Sequence, residues 1–179
     1  YLTINISSPN TENLRSFHNE NELNELLNLI EKEKKILKTT LPISVKISPD
    51  IQDENIRIIA DLLFKYNVEA IIISNSTDRN RENLSNINKL EKGGLSGKPL
   101  EIKSNLLINK FYKILKNRIK IIGVGGVDSG ASVYEKFING ASLVQLYTGM
   151  VYKGPGVVKD IKKELISILK KENIKNVSQ

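Results

Sequence analysis

Apolar residues recur along this chain with two alternating periods. Tyr1–Ile6 is short and predicts a strand. Leu23, Leu26, Leu27, Ile30 and Leu37 then repeat at helical spacing and predict a helix over 20–38. Ile43–Ile47 follows Pro42 as a second strand, and Ile56, Ile59, Ala60 and Leu63 mark a second helix with Asp53 as its expected N-cap. Ala70–Ser74 is almost continuously β-branched, the pattern of a strand buried on both faces. After a polar loop come a helix over Ile102–Leu115, a strand over Ile119–Val124 and a short helix over Ala131–Ile138 closed by Gly140. A strand over Ser142–Tyr147 and a helix over 156–172 complete the pattern.

The order is strand then helix, five times over. Parallel strands joined by right-handed crossovers follow from it. Two architectures have this order: a complete five-stranded doubly wound sheet, and five-eighths of a (β/α)₈ barrel. A barrel typically needs ~250 residues, so five of its eight units take about 156. The chain has 179, starts on Tyr1 within a strand, and has Met150 as its single methionine. These features favour the barrel and give the expectation that residues 1–179 are the C-terminal part of one barrel domain.

Composition narrows the chemistry. With 40% apolar and 26% charged residues the chain can bury a core. It has no cysteine and one histidine, so Cys-ligated metal, disulfides and a multi-His metal site within the chain are excluded. No apolar run in the sequence approaches the ~18 residues of a membrane span. The net charge of +7 raises nucleic acid as a partner, but the lysines alternate with acids, as in Glu31-Lys32-Glu33-Lys34-Lys35, and no aromatic–basic stacking pattern occurs. No nucleic-acid partner is therefore expected.

In either architecture ligands bind beyond the C-terminal strand ends. The segments there are Asn5-Ile6-Ser7-Ser8-Pro9-Asn10-Thr11, Lys46 with Ser48-Pro49-Asp50, Ser74-Asn75-Ser76-Thr77, Gly123-Val124-Gly125-Gly126 and Tyr147-Thr148-Gly149. Amides, hydroxyls, glycines and one lysine converge, without a carboxylate pair. Such a set suits a polar planar ligand bearing a phosphate. The glycines fail both nucleotide motifs: Asp128 stands where the dinucleotide fingerprint needs glycine, and Lys92 and Pro99 break the P-loop. What remains is glycine after the penultimate strand and Tyr-Thr-Gly after the last, where barrels often hold a phosphate on backbone N–H groups; a tight turn with a helix cap explains the same residues. Lys46 shares a strand face with Ser44 and Ser48, so it either snorkels at the strand end or offers a cation to an anionic ligand. Asn10 and Thr11 either bind or merely form a turn after Pro9, and His18 is expected on the surface.

Six stretches, in register over almost the whole chain, resemble the dihydroorotate dehydrogenase family and specifically its quinone-linked class 2. They are Asn5–Thr11, Val45–Asp50, Ser74–Thr77, Gly93–Leu100, Ile121–Gly126 and Gly140–Thr148. The resemblance implies an FMN-binding (β/α)₈ barrel that oxidises dihydroorotate to orotate in pyrimidine (UMP) biosynthesis, with this chain holding the last five βα units. It implies that Ser8 is the catalytic base, a position where class 1 relatives have Cys. Asn5 then touches both FMN and substrate, and Asn10, Asn75 and Ser76 bind the pyrimidine. Lys46, Ser74, Gly97, Gly126, Tyr147 and Thr148 bind FMN. Ser74 and Ser76 stand where the family usually has Thr, a change that keeps the hydroxyl. The family's first strands and its N-terminal helical segment, which docks on the membrane and admits quinone, have no counterpart in residues 1–179. Peripheral membrane association, otherwise a cytoplasmic location, is thus implied only through that segment. The isolated chain is expected to be inactive. The alternatives are a non-catalytic fragment and another FMN- or phosphate-binding barrel oxidoreductase.

Overall fold

The computed structural model of the chain describes residues 1–79, 81–82 and 84–177. Five strands, β1 (Leu2–Asn5), β2 (Ile43–Ile47), β3 (Ala70–Ile73), β4 (Lys120–Val124) and β5 (Leu143–Gln145), form one parallel sheet. Six helices intervene or follow: α1 (Glu20–Ile36), α2 (Asp53–Lys65), α3 (Glu101–Leu115), α4 (Gly130–Ile138), α5 (Thr148–Lys153) and α6 (Val157–Lys171). The spatial order of the strands is their chain order, β1-β2-β3-β4-β5. A doubly wound sheet reverses its order at a switch point; this sheet never does. It is the partial (β/α)₈ barrel.

Two differences from the sequence reading have local causes. Asp53 begins α2 rather than capping it; Gln52 holds the N-cap position, and the Asp53 carboxylate accepts from Lys110 Nζ at 2.6 and 2.7 Å. β1, β3 and β5 stop short of the ends assigned to them, because Ile6, Ser74 and Leu146 already turn into the loops that build the site. α5 and three single 3₁₀ turns, Leu14–His18, Ile87–Leu90 and Lys98–Leu100, carry too few apolar positions to show a period.

Alternation along the strands separates two faces. Val45, Ile47, Ile71, Ile73 and Ile121 point outward into a core with Leu23 and Leu27 of α1, Ile59 and Leu63 of α2, and Ile108 and Phe111 of α3. All eleven are at most 2% exposed. At ~1.5–3 kcal/mol for each large apolar side chain buried, this layer is the main favourable term that holds the helices on the sheet. A smaller cluster of Val127, Val133, Val157 and Ile161 seats α4 against α6. There Gly130 lets the helices close: a Cβ on it would lie 2.4 Å from Glu164 Cβ, and its N–H donates to Glu164 Oε2 at 2.6 Å.

The inner face carries the row Asn5, Lys46, Ile72, Ile122 and Leu143, each in register with the next. The sheet curls enough for Gln145 Nε2, on one edge, to donate to the Tyr1 hydroxyl on the other at 2.9 Å. This curvature points the five C-terminal loops toward one another.

Candidate active site

The loops beyond the strand ends enclose a cavity of about 770 Å³. Its walls are Lys46 of β2, Ser74–Ser76 after β3, Gly94–Leu100 from the long loop before α3, Val124–Asp128 after β4 and Leu146–Gly149 after β5, with Asn10 at one edge. Nine residues singled out in the sequence therefore share one space: Asn10, Lys46, Ser74, Asn75, Ser76, Gly97, Gly126, Tyr147 and Thr148. Asn5 and Ser8 are not among the lining residues.

Lys46 stands on the inner row between Asn5 and Ile72. Burial lowers the pKa of its ammonium, and among the described residues no carboxylate pairs with it. A half-buried cation that opens onto a cavity without an internal partner is a stored demand for a negative ligand group.

One end of the cavity is built from amides and hydroxyls. Ser7 Oγ donates to Asn5 Oδ1 at 2.6 Å and accepts from Asn75 Nδ2 at 3.0 Å. Asn75 Oδ1 in turn accepts from Ser76 N at 2.8 Å. Ser7 is fully buried and ties the loop after β1 to the loop after β3, a role that neither the residue pattern nor the family resemblance marked. Ser8 Oγ accepts from Asn10 N at 3.2 Å, a turn-forming bond that leaves its own proton available to donate.

The other end is built on glycine. Gly97 and Gly126 both have φ +77°, which L side chains rarely adopt. A Cβ on Gly97 would lie 2.8 Å from Thr148 Cγ2, and one on Gly126 would lie 2.4 Å from Glu101 Cβ. Ser96 and Thr148 share a hydroxyl hydrogen bond of 2.9 Å. Glycine thus lets the loops after β3, β4 and β5 close on one another and line the cavity with backbone.

The loop that carries Ser8 is fastened from behind. Asp50, whose side chain is 2% exposed, ion-pairs with Arg15 Nη2 at 3.4 Å and with Lys103 Nζ, and accepts from Thr77 Oγ1 at 2.6 Å. Arg15 Nη1 also donates to Asp78 Oδ1 at 3.0 Å. His18, expected on the surface, is buried at 6% exposure: the 3₁₀ turn swings its ring inward, where Nε2 accepts from Ser48 N at 3.3 Å. Burial, and then the Arg15 charge, push its pKa down to about 4, so the ring is neutral and able to accept. Sequence reasoning missed this fastening because its members are spread over residues 15–103.

Among the described residues no group of three or more His, Cys, Asp or Glu side chains is placed to hold a metal ion, and no helix is long and apolar enough to cross a membrane. Comparison with known proteins matches residues 1–169 to the family model described as dihydroorotate dehydrogenase. The chain is 44% identical over 170 residues to the dihydroorotate dehydrogenase (quinone) of Polynucleobacter asymbioticus, covering 92% of this chain and 49% of that protein. It is 39% identical over 189 residues to the protein of the same name from Trichodesmium erythraeum, covering 100% of this chain and 48% of the relative. The chain thus spans about half the length of the curated relatives it matches. The crystal structure of DHODH from Eimeria tenella in complex with ferulenol superposes with a TM-score of 0.94 at 35% identity, over 99% of this chain and 52% of that one. Sequential parallel strands, a cavity at their C-terminal ends and a family model matched over residues 1–169 agree: the chain belongs to the dihydroorotate dehydrogenase family.

Proposed function

We propose that this chain is the flavin- and substrate-binding side of a quinone-dependent dihydroorotate dehydrogenase, which oxidises dihydroorotate to orotate for pyrimidine biosynthesis. The observation that carries the reading is the composition of one cavity: an unpartnered Lys46 ammonium, amides and hydroxyls at one end, and glycine-built backbone at the other. That donor set fits FMN. The volume of about 770 Å³ lies within the ~300–1,000 Å³ usual for ligand sites. Ser74 and Lys46 would hold the ring system, and Gly97, Gly126, Tyr147 and Thr148 the ribityl phosphate. Asn5, beside Lys46 on the inner row, would touch both flavin and substrate.

When bound, FMN supplies the acceptor for the hydride that leaves C6 of dihydroorotate. The protein has to remove the proton at C5, and Ser8 is the residue assigned to it. A free hydroxyl is a poor base, so Ser8 needs a neighbouring acceptor or a water path for its own proton. Asn10, Asn75 and Ser76 offer donors and acceptors for the ring amides of a pyrimidine. Lys46 places positive charge where negative charge grows as the ring system is reduced. Quinone as final acceptor is what the printed names of the relatives support; peripheral attachment to a membrane rests on the family resemblance alone, and both would involve residues outside 1–179.

The test uses a completed barrel, made by fusing the N-terminal half of the Polynucleobacter asymbioticus relative ahead of Tyr1. It should purify with FMN and be reduced by dihydroorotate. Ser8→Ala should retain the flavin while reduction slows by ~10²-fold or more, the scale of a lost general base. Reduction of Ser8→Ala at the parent rate in stopped flow would remove Ser8 from the role. A completed barrel that binds no flavin would remove the reading.

A further inference from the structure

The glycine end of the cavity carries more ionic groups than its backbone suggests. Lys98, Lys136 and Lys153 lie there with the carboxylates of Glu101 and Asp128. Lys98 Nζ pairs with Glu101 Oε2 and sits 3.9 Å from Asp128 Oδ1. Lys153 Nζ lies 3.5 Å from Asp128 Oδ2 and donates to Asp128 O at 2.9 Å. Both carboxylates are thereby engaged by the two exposed lysines. The third lysine has none.

Lys136 is wholly buried in α4, behind the loop that follows β4. Its Nζ donates to Ser104 Oγ at 3.1 Å and to Asn105 Oδ1 at 2.8 Å, both neutral. Ser104 Oγ donates to Val124 O at 2.6 Å, the carbonyl that also accepts Ser74 N at 3.1 Å. Gly125 packs directly on Ser104, since a Cβ there would meet Ser104 Cβ at 3.4 Å. One serine therefore separates the ammonium from the cavity wall at Val124-Gly125-Gly126. Gly123 is glycine because the lysine stem occupies its Cβ position, 2.7 Å from Lys136 Cδ. The two charged groups that act on it, Glu101 and Lys98 on the α3 side, pair with each other.

A buried cation without a counter-ion is costly, and an anion on the adjoining wall offsets that cost. We infer that Lys136 is the internal counter-charge for the phosphate end of this cavity: it selects a phosphate-bearing ligand over its dephosphorylated counterpart without touching it. The inference rests on the flavin reading and deepens it. Lys136 is a positioning residue, acting through Ser104 and through its field. Burial first, and Lys98 further, lower its pKa to about 8 against the opposing pull of Glu101. Near neutral pH it is charged; its charge falls away as the pH rises through this region, where an arriving phosphate dianion should draw a proton back onto it.

The completed barrel, stripped of flavin, would be titrated calorimetrically with FMN, with riboflavin and with inorganic phosphate. Parent and Lys136→Met proteins would be compared at pH ~7 and ~8.5 in buffers of different ionisation enthalpy. The expected result is a preference for FMN over riboflavin that falls by ~10-fold or more in K136M, with riboflavin affinity unchanged. FMN binding to the parent should take up a fraction of a proton at the higher pH only; riboflavin should take up none. An FMN-to-riboflavin ratio unaltered by K136M, or FMN binding without proton uptake at the higher pH, overturns the inference. If K136M does not fold, the proton uptake of the parent decides alone. If neither flavin binds, the flavin reading falls, and uptake linked to inorganic phosphate then decides for or against Lys136.

Discussion

Asp50→Asn is the sharpest test of how the site is held together. The substitution keeps the shape of the side chain and the acceptor for Thr77 Oγ1, removes the charge, and turns the oxygen that faces Arg15 into an NH2 donor. That charge is 2% exposed and faces Arg15 at 3.4 Å and Lys103 Nζ. Breaking a buried ion pair from one side costs about 3–5 kcal/mol when the partner is stranded. Arg15 and Lys103 are 25% and 30% exposed and can recover part of their hydration, which lowers the expected loss to ~2–3 kcal/mol. Native stabilities are only ~5–15 kcal/mol, so a shift of this size is readily measured. The assay is urea unfolding of the completed barrel, with Lys103→Met and the double variant closing a cycle. The Asp50–Lys103 coupling should be about 1 kcal/mol or more. Amide exchange over residues 8–14 should rise in Asp50→Asn while β2 and β4 stay protected, because the fastening holds the Ser8 loop. A loss below ~1 kcal/mol with unchanged slope, or strict additivity, would refute the claim that Asp50 clamps this loop.

Three further outcomes follow from the same geometry. His18 is neutral in the fold down to about 4, whereas the unfolded chain takes its proton near 6.5; stability should therefore be unaffected above that range, fall by ~3 kcal/mol as pH drops through it, and then level off, and His18→Gln should flatten this part of the profile. Lys46→Met should weaken FMN retention by ~10-fold or lower the flavin potential, and unchanged values in both titrations would mean that Lys46 only snorkels. Gly126→Ala should destabilise the barrel and weaken FMN more than Gly154→Ala does, since both have positive φ but only the Cβ at 126 meets Glu101, at 2.4 Å; equal losses by unfolding and flavin titration would leave only the backbone term.

The periodicity of the chain determined its elements. Ile71, Ile72 and Ile73 predicted a strand buried on both faces, and all three are at most 1% exposed. The same strand–helix repeat left two architectures open, because a period records which face is apolar and not which strand lies beside which. Tertiary structure decided that point through an unreversed strand order, and the family motifs had already leaned the same way. Candidate residues at strand ends were legible for a related reason: in parallel α/β folds the C-terminal strand ends converge, so Lys46, Asn75, Gly126 and Thr148 had to meet once the strands were placed. What the sequence could not reveal were residues whose meaning is entirely relational. Ser7 and Ser8 are adjacent and chemically identical, and only the fold buries the first between Asn5 and Asn75. His18 looked like a loop residue until the 3₁₀ turn aimed its ring at Ser48. Lys136 is the one lysine of a short amphipathic helix, and only the packing of α4 behind β4 made it a buried charge. Local pattern fixes which face of an element is dry, whereas the partners of a buried polar group are set by loops and helices far away in the chain, and those exist only once the chain has closed on itself.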